Sequence, residues 1–307
     1  MPEKDLVIIL GPTAVGKSEL AINLAERFAG EIINCDSMQV YRGFDIGTDK
    51  PSPEIRQRVS HHLIDIVDPD TQFTAAAFVE HALAAIGQIV RRNHLPLVVG
   101  GTGLYLKALT EGLFPGPGRN QEVRQTLEAE IKNHGLSVLY QRLLAVDPEY
   151  GKKIHPHDRV RIVRALEVYV LTGKPISEHF KATRPYLGGF KLTKIGLKLD
   201  KGELKQRIDE RVERMFARGL VTETKKLVNQ GIPESAPPFQ ALGYKQVLNY
   251  LHGKISLDEA KEQTKKETRE YAQRQMTWFR RMKNIVWFNP KEREKIVDFL
   301  RQTIKEK

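Results

Sequence analysis

Cysteine occurs once in this chain, at Cys35, so no internal disulfide can form and no Cys-based structural zinc site can be built. Thiol redox chemistry is not expected. No apolar run approaches the length of a membrane span, and Met1-Pro2-Glu3-Lys4-Asp5 lacks the basic region that leads into a signal core. The expected location is the cytoplasm, with no membrane partner. Internal repeats and low-complexity segments are missing as well, which excludes solenoids and repeat arrays. Acidic residues are the scarcer charge: 38 Asp and Glu stand against 49 Lys and Arg, a formal net charge of +11. An excess of that sign points to a polyanionic partner, nucleic acid first. At 307 residues, with 40% hydrophobic and 28% charged, the chain is otherwise ordinary for one large or two modest folded domains.

What is present is more specific. Gly11-Pro12-Thr13-Ala14-Val15-Gly16-Lys17-Ser18 fits G-x-x-x-x-G-K-[ST], the pattern that wraps backbone amides around phosphate oxygens, sends a lysine over the terminal phosphate and offers a hydroxyl to Mg²⁺. It follows Leu6-Val7-Ile8-Ile9-Leu10, read as a buried strand, and opens a helix from Ser18 whose positive dipole end faces the same anion. Ser18 is the candidate Mg²⁺ ligand.

Further strands follow in an α/β order. Glu31 to Ser37 reads as a second strand with Asp36 at its end, where residues of an open α/β sheet line the ligand crevice. The alternative is that Asp36 caps the next turn. His61 to Asp68 reads as a strand, in which the adjacent His61 and His62 point to opposite faces; one buried and one exposed histidine is expected rather than a metal site. A helix over Thr74 to Asn93 buries Phe78, Leu83, Ala85, Ile86 and Ile89. Leu95 to Val99 is a third apolar strand, ending in Gly100-Gly101-Thr102, where the glycines signal either close approach to another group or a tight turn. Three strand ends thus converge: the loop, Asp36 and Thr102.

At Pro115-Gly116-Pro117-Gly118 the strands give way to short, basic helical stretches, a pattern that marks a domain boundary. Helices are expected over Gln121 to Asn133, Ser137 to Ala145 and Asp158 to Leu171; the arginines Arg159, Arg161 and Arg164 of the last form either a solvated, salt-bridged face or an anion-binding one. Ile195 to Leu199 returns to the core as a strand. One long helix is expected over Lys201 to Gln230, with Leu204, Ile208, Val212 and Met215 on one stripe and Arg207, Arg211, Arg214 and Arg218 on another. Glu203 and Glu210 stand four residues before Arg207 and Arg214, whereas Arg211 lacks such a partner and is the arginine most open to an anion. The last third interleaves basic and aromatic residues around Arg274 and Trp278. That mixture suits unpaired bases and phosphates, or a basic amphipathic helix that buries Trp278.

Taken together, Gly11 to Ser18, Asp36-Ser37-Met38-Gln39-Val40-Tyr41, Asp45-Ile46-Gly47-Thr48 and Gly100 to Tyr105 closely resemble the bacterial tRNA dimethylallyltransferases. The likeness continues through Arg164 to Val168, Gly243-Tyr244-Lys245 and Arg274 to Phe279, in order and at matching spacing over nearly the whole chain. The zinc-finger extension of some eukaryotic relatives is missing, which fits a bacterial form. The resemblance implies an α/β fold, a P-loop NTPase-like core of parallel sheet flanked by helices, over 1–117 and 190–307. It also implies an inserted all-helical domain over 118–189 that contacts the tRNA anticodon stem-loop. The implied reaction moves a dimethylallyl group from dimethylallyl diphosphate to N6 of the adenosine immediately 3′ of the anticodon, in tRNAs reading codons that begin with U.

In that scheme Gly11, Pro12, Thr13, Ala14, Val15, Gly16, Lys17, Ser18 and Arg211 hold the diphosphate with Mg²⁺ on Ser18, Asp36 is the base, and Thr102 hydrogen-bonds the reacting groups. The resemblance further implies tRNA contacts at Asp36, Ser37, Met38, Gln39, Thr102, Arg124, Val160, Arg161, Ile162, Val163, Arg164, Gln240, Ala241, Leu242, Gly243, Tyr244, Lys245 and Arg274. A monomer is expected.

Two other readings compete. A P-loop kinase acting on a nucleoside or nucleotide uses the same anion cradle. The sequence has no Asn-Lys-x-Asp motif, and its only strand-end acids of the ATPase kind are Asp36 and Asp65. A non-catalytic, nucleotide-gated RNA-binding protein leaves Thr102 and the converging strand ends without a role.

Overall fold

The computed structural model describes residues 3–304. Met1 and Pro2, part of the segment read for a signal, and residues 305–307, the end of the expected core, lie outside the described residues. Strand β1 (Lys4–Leu10) is the apolar run foreseen, fully buried from Leu6 to Leu10. Helix α1 (Lys17–Arg27) follows, burying Leu20, Ala21, Leu24 and Ala25, and leads to β2 (Gly30–Cys35). After α2 (Pro53–Arg58) and β3 (His61–His62), α3 (Ala75–Arg91) starts where the Thr74 hydroxyl accepts the Ala77 amide. Strand β4 (Leu95–Gly100) and α4 (Gly103–Glu111) end the first half.

Helices α5 (Gln121–His134), α6 (Leu136–Val146), α7 (Pro148–Gly151), α8 (Arg159–Thr172) and α9 (Ile176–Lys181) come next. The chain then returns through β5 (Phe190–Leu197), α10 (Lys201–Ala217), α11 (Leu220–Asn229), α12 (Tyr244–Leu251), α13 (Leu257–Phe279), β6 (Ile285–Phe288) and α14 (Arg293–Thr303).

The six strands of the described residues are all parallel, in the order β3-β2-β4-β1-β5-β6. The fold is therefore the α/β class that the strand and helix alternation implied. Register fixes what happens at the carboxyl edge: Gly100 pairs with Leu10 on one side and Cys35 on the other. The next residues of the three strands, Gly11, Asp36 and Gly101, consequently emerge side by side. Beyond β4 the chain crosses to β5 on the far side of β1, so this row lies at the topological switch point, where open α/β sheets form their crevice.

The chain divides into two compact units, one running up to Lys107 and resuming at Gly188, the other Ala108–Leu187. The first has one core between the sheet, α1 and α14, including Val7, Ile9, Leu24, Ile195 and Leu300. A second core in the same unit gathers Phe44, Phe239 and Tyr244 with Leu220 and Val247. The other unit contains no strand among its described residues and packs Leu127, Leu139, Leu143, Ile162 and Leu166 together.

Three local expectations are corrected. The helix foreseen over Lys201 to Gln230 is two, because Gly219 turns into the left-handed region at φ 97°, where the first helix ends and the second begins. The strand foreseen over His61 to Asp68 is only His61–His62. Leu63 and Asp65 take φ values of 62° and 55°, incompatible with a strand, and the turn is tied down by Asp65, which accepts hydrogen bonds from Lys50 and Arg56. Finally, His61 and His62 are both half-buried: one bonds the Val59 carbonyl at 2.7 Å, the other the Glu31 carboxylate at 2.7 Å.

Candidate active site

The phosphate-type loop leaves β1 and enters α1 at Lys17. The first-turn amides of α1 have no intrahelical partner, which leaves them for an anion. Lys17 is half-buried, and its Nζ donates to the carbonyls of Gly11 at 2.9 Å and Pro12 at 2.7 Å. Burial, and then the neighbouring Arg211 guanidinium, lower its pKa to about 7, against a smaller opposite pull from Asp36. The lysine is thus an ammonium made costly by its surroundings, which a polyanion would relieve.

Asp36 fulfils both roles open to it. Its Oδ1 accepts the amides of Met38 at 2.8 Å and Gln39 at 3.3 Å, capping the turn, and it also lines the cleft. The bonds are all to Oδ1, so Oδ2 remains to take a proton. Thr102 Oγ1 accepts the Ser37 amide at 3.2 Å, and its hydroxyl proton is not used in that bond. Gln39 donates its side-chain amide to the carbonyls of Thr48 at 3.0 Å and Asp49 at 3.3 Å.

The strand-end glycines meet the chain itself. A Cβ on Gly100 would stand 2.0 Å from the Cys35 carbonyl, and one on Gly101 would stand 2.2 Å from Gln275 Nε2. Gln275 is a site residue that the sequence reading did not single out. Its Oε1 accepts the Thr13 amide at 2.9 Å, and its Nε2 donates to the Gly101 carbonyl at 2.9 Å. The signal was available: Thr264, Thr268, Ala272, Gln275 and Phe279 form the buried stripe of α13, and an amide on a buried stripe requires partners.

Arg207, Arg211 and Arg214 of α10 all line the cleft. Arg207 and Arg214 pair with Glu203 at 2.9 Å and Glu210 at 3.9 Å, as the spacing foretold. Arg211 is not the unpartnered arginine expected. It donates to the Thr13 hydroxyl, and its Nε lies 3.3 Å from Asp49 Oδ2. Asp49, His61 and Tyr271 are further lining residues that the sequence did not place at the site.

The cleft has a volume of about 460 Å³. A second cavity of about 310 Å³ is lined by Met38, Met215, Ala241, Leu242 and Arg274. Both include Thr13, Asp36, Thr48, Arg211 and Tyr271 in their walls, so Asp36 stands between a basic compartment and a more apolar mouth.

Of the remaining candidates in this unit, Gln240 and Lys245 are exposed, whereas Gly243 and Tyr244 are buried. The Tyr244 hydroxyl donates to Glu223 at 2.5 Å and accepts the Gly47 amide at 3.1 Å. Trp278 is half-buried and Phe279 takes the core position instead. In the helical unit, Val160 is 76% exposed and Arg161 is exposed, but Ile162 and Val163 belong to the core. Arg124 and Arg164 pair at 2.8 Å and 2.7 Å with Glu167, which is fully buried. Burial opposes the charge on Glu167, but hydrogen bonds from both arginines and the Asn120 amide outweigh it and bring its pKa down to about 2.

The sequence match now decides the family. The model of the IPP transferase family matches residues 39–282. This chain belongs to that family. A tRNA dimethylallyltransferase of Geobacter metallireducens is 51% identical over 282 residues, covering 92% of this chain and 91% of its own. Among solved structures, the full-length tRNA isopentenylpyrophosphate transferase of Bacillus halodurans is 40% identical with a TM-score of 0.73, over 98% of this chain and 97% of that one. A eukaryotic dimethylallyltransferase captured acting on tRNA is 32% identical with a TM-score of 0.82, over 99% of this chain and 81% of its own. The motif likeness and the α/β sheet of this IPP transferase are therefore borne out together.

Among the described residues no group of three His, Cys, Asp or Glu side chains could hold a metal ion. The exposed Ser18 hydroxyl at the loop's end, with Asp36 on the same cleft wall, still fits Mg²⁺, which keeps waters and substrate phosphate oxygens rather than an all-protein cage.

Proposed function

We propose that this cleft transfers a dimethylallyl group from dimethylallyl diphosphate to N6 of the adenosine immediately 3′ of the anticodon, in tRNAs reading codons that begin with U. The relatives named for tRNA prenyl transfer support the reaction class. The observation that carries the reading here is Asp36 standing between a basic compartment and an apolar mouth. A diphosphate fits the first and the base of a nucleotide the second. A kinase has no counterpart among these relatives.

The donor's diphosphate rests on the loop amides, Lys17 and Arg211. As the C1–O bond breaks, its electron pair leaves with the diphosphate, and these cations stabilise that charge. Mg²⁺ on Ser18, when bound, neutralises part of the leaving group. The adenine must leave the anticodon-loop stack to enter the mouth past Met38, Ala241 and Leu242. Its amine is a poor nucleophile, so Asp36 Oδ2 takes the N6 proton as the N6–C1 bond forms, with Thr102 donating a hydrogen bond beside it. The cavity walls hold donor and acceptor in line and keep water from C1.

Exposed side chains carry the tRNA contacts: Gln240, Lys245 and Arg274 in one unit, and Val160 and Arg161 in the other. Ile162, Val163, Gly243 and Tyr244 support them from beneath. The helical unit grips the anticodon stem-loop, its Arg124 and Arg164 organised by Glu167. The enzyme acts as a monomer in the cytoplasm.

The test is transfer of a labelled dimethylallyl group to unmodified tRNA, with Mg²⁺ and without ATP. Modified adenosine next to the anticodon is the expected product. Label passing from γ-labelled ATP to a nucleoside, with none from the prenyl donor, would overturn the reading.

A further inference from the structure

We propose that Asp49 is a built-in counter-ion of the diphosphate site. It pairs with Arg211 when no ligand is present, competes with the diphosphate for that arginine, and so limits how tightly donor and released diphosphate are held. The inference rests on the reading of the loop as a diphosphate cradle.

Asp49 shares the cleft with the acids Glu19, Asp36 and Glu210, and it is the one that pairs with Arg211. It lines the same wall as Lys17, Arg207 and Arg211. One carboxylate oxygen lies 3.3 Å from Arg211 Nε and the other 3.5 Å from Arg218 Nη1. Arg211 lies on α10 and lines the cleft, and Arg218 stands just past its end, so a single side chain neutralises part of the arginine stripe.

The acid cannot simply drift away, because its loop is fastened from all sides. The Glu223 carboxylate accepts the amides of Asp45 at 3.2 Å and Ile46 at 2.9 Å. Lys50, whose side chain is only 2% exposed, donates to Asp45 at 2.8 Å, Asp65 at 2.5 Å and the Tyr41 carbonyl at 2.6 Å. Gln39 holds the carbonyls of Thr48 and Asp49 themselves. Asp49 takes φ 55°, a conformation imposed on it by this framework.

Arg211 does not depend on Asp49 for its aim. Its separate bond to the Thr13 hydroxyl keeps it at the loop. Removing the charge of Asp49 therefore leaves the arginine in place and takes away its competitor. An arriving diphosphate exchanges places with the carboxylate at Arg211 while Arg218 retains it. When the diphosphate leaves, the original pair closes again, which favours release of a product that shares the donor's charged end.

Binding of inorganic diphosphate to the full-length protein with Mg²⁺, followed by calorimetry, tests this. Asp49→Asn and Asp49→Ala are expected to bind it about three- to tenfold more tightly, the scale of two partly exposed ion pairs, and Asp49→Glu to remain near the unaltered protein. The KM for dimethylallyl diphosphate falls in the same proportion without a rise in kcat, and the difference narrows with added salt. Arg218→Gln, which releases Asp49 to Arg211 alone, weakens diphosphate binding in the unaltered background but has no effect once Asp49 is Asn. Diphosphate binding that is unchanged or weaker in a normally melting Asp49→Asn protein, or an Arg218→Gln effect that persists there, overturns the role of Asp49. Absence of diphosphate binding by the unaltered protein overturns the cradle itself.

Discussion

The side chain of Gln275 joins two loops that the sequence sets far apart, accepting the Thr13 amide and donating to the Gly101 carbonyl, each at 2.9 Å. With both ends engaged and the residue buried, it holds the floor of the cleft in register with the end of β4. Gln275→Leu keeps the volume but strands a part-buried amide and a buried carbonyl. A stability loss of about 1–3 kcal/mol is expected, read in a thermal melt, together with a rise in KM for the prenyl donor. A variant with unaltered melting and kinetics would show that the two bonds carry neither order nor strength.

Asp36→Asn removes the proton acceptor while keeping the shape of the side chain and an oxygen for the Met38 and Gln39 amides. Single-turnover transfer should slow by about 10²–10⁴-fold, with tRNA affinity preserved. Turnover close to the unaltered rate would require another base.

Lys17 gives the donor affinity a pH dependence of definite sign. Its pKa is about 7 in the free protein, well below the ordinary lysine value, so above pH 7 the amine is increasingly neutral. A bound diphosphate favours the ammonium and raises the pKa, so binding at pH 8 takes up a proton and weakens by up to about tenfold per pH unit as pH rises further. Calorimetry of dimethylallyl diphosphate binding in buffers of different ionisation heat counts that proton. Net release at pH 8 would contradict the assignment.

Glu167 lies in the helical unit, paired with two arginines. Glu167→Gln leaves Arg124 and Arg164 without their shared anion. Because the arginines are partly exposed, the loss is expected at the lower end for a buried pair, about 2–3 kcal/mol. Melting temperature and tRNA affinity should both fall, whereas binding of the prenyl donor alone should not change. Weakened donor binding would mean that Glu167 acts outside its own unit.

How much of this was legible in the sequence depended on distance along the chain. The strands announced themselves as apolar runs, and Asp36 and Thr102 were legible because strand ends in an α/β sheet share one edge. Gln275 and Asp49 were not, because their roles are set by partners brought close only by the fold. The break at Gly219 escaped because the helical periodicity on either side nearly continues across it, and one left-handed residue is invisible to periodicity. The same blindness hid the turn after His62, where side-chain bonds to Asp65 replace strand pairing. Arg211 was misread for a related reason: its acid, Asp49, comes from a distant loop rather than from four residues back on its own helix.

The order of the sheet also has a temporal meaning. β1 is made first, yet its full-length partner is β5, which follows all of α1 to α9 in the chain. On the ribosome, the strand that carries the phosphate loop must wait with one edge open while the whole helical unit is synthesised. Closure of the cleft floor waits longer still, until α13 delivers Gln275. A chain that stops before β5 therefore exposes the unpaired apolar edge of β1 beside an unfinished anion cradle, and truncation there should yield aggregation rather than a weakened enzyme.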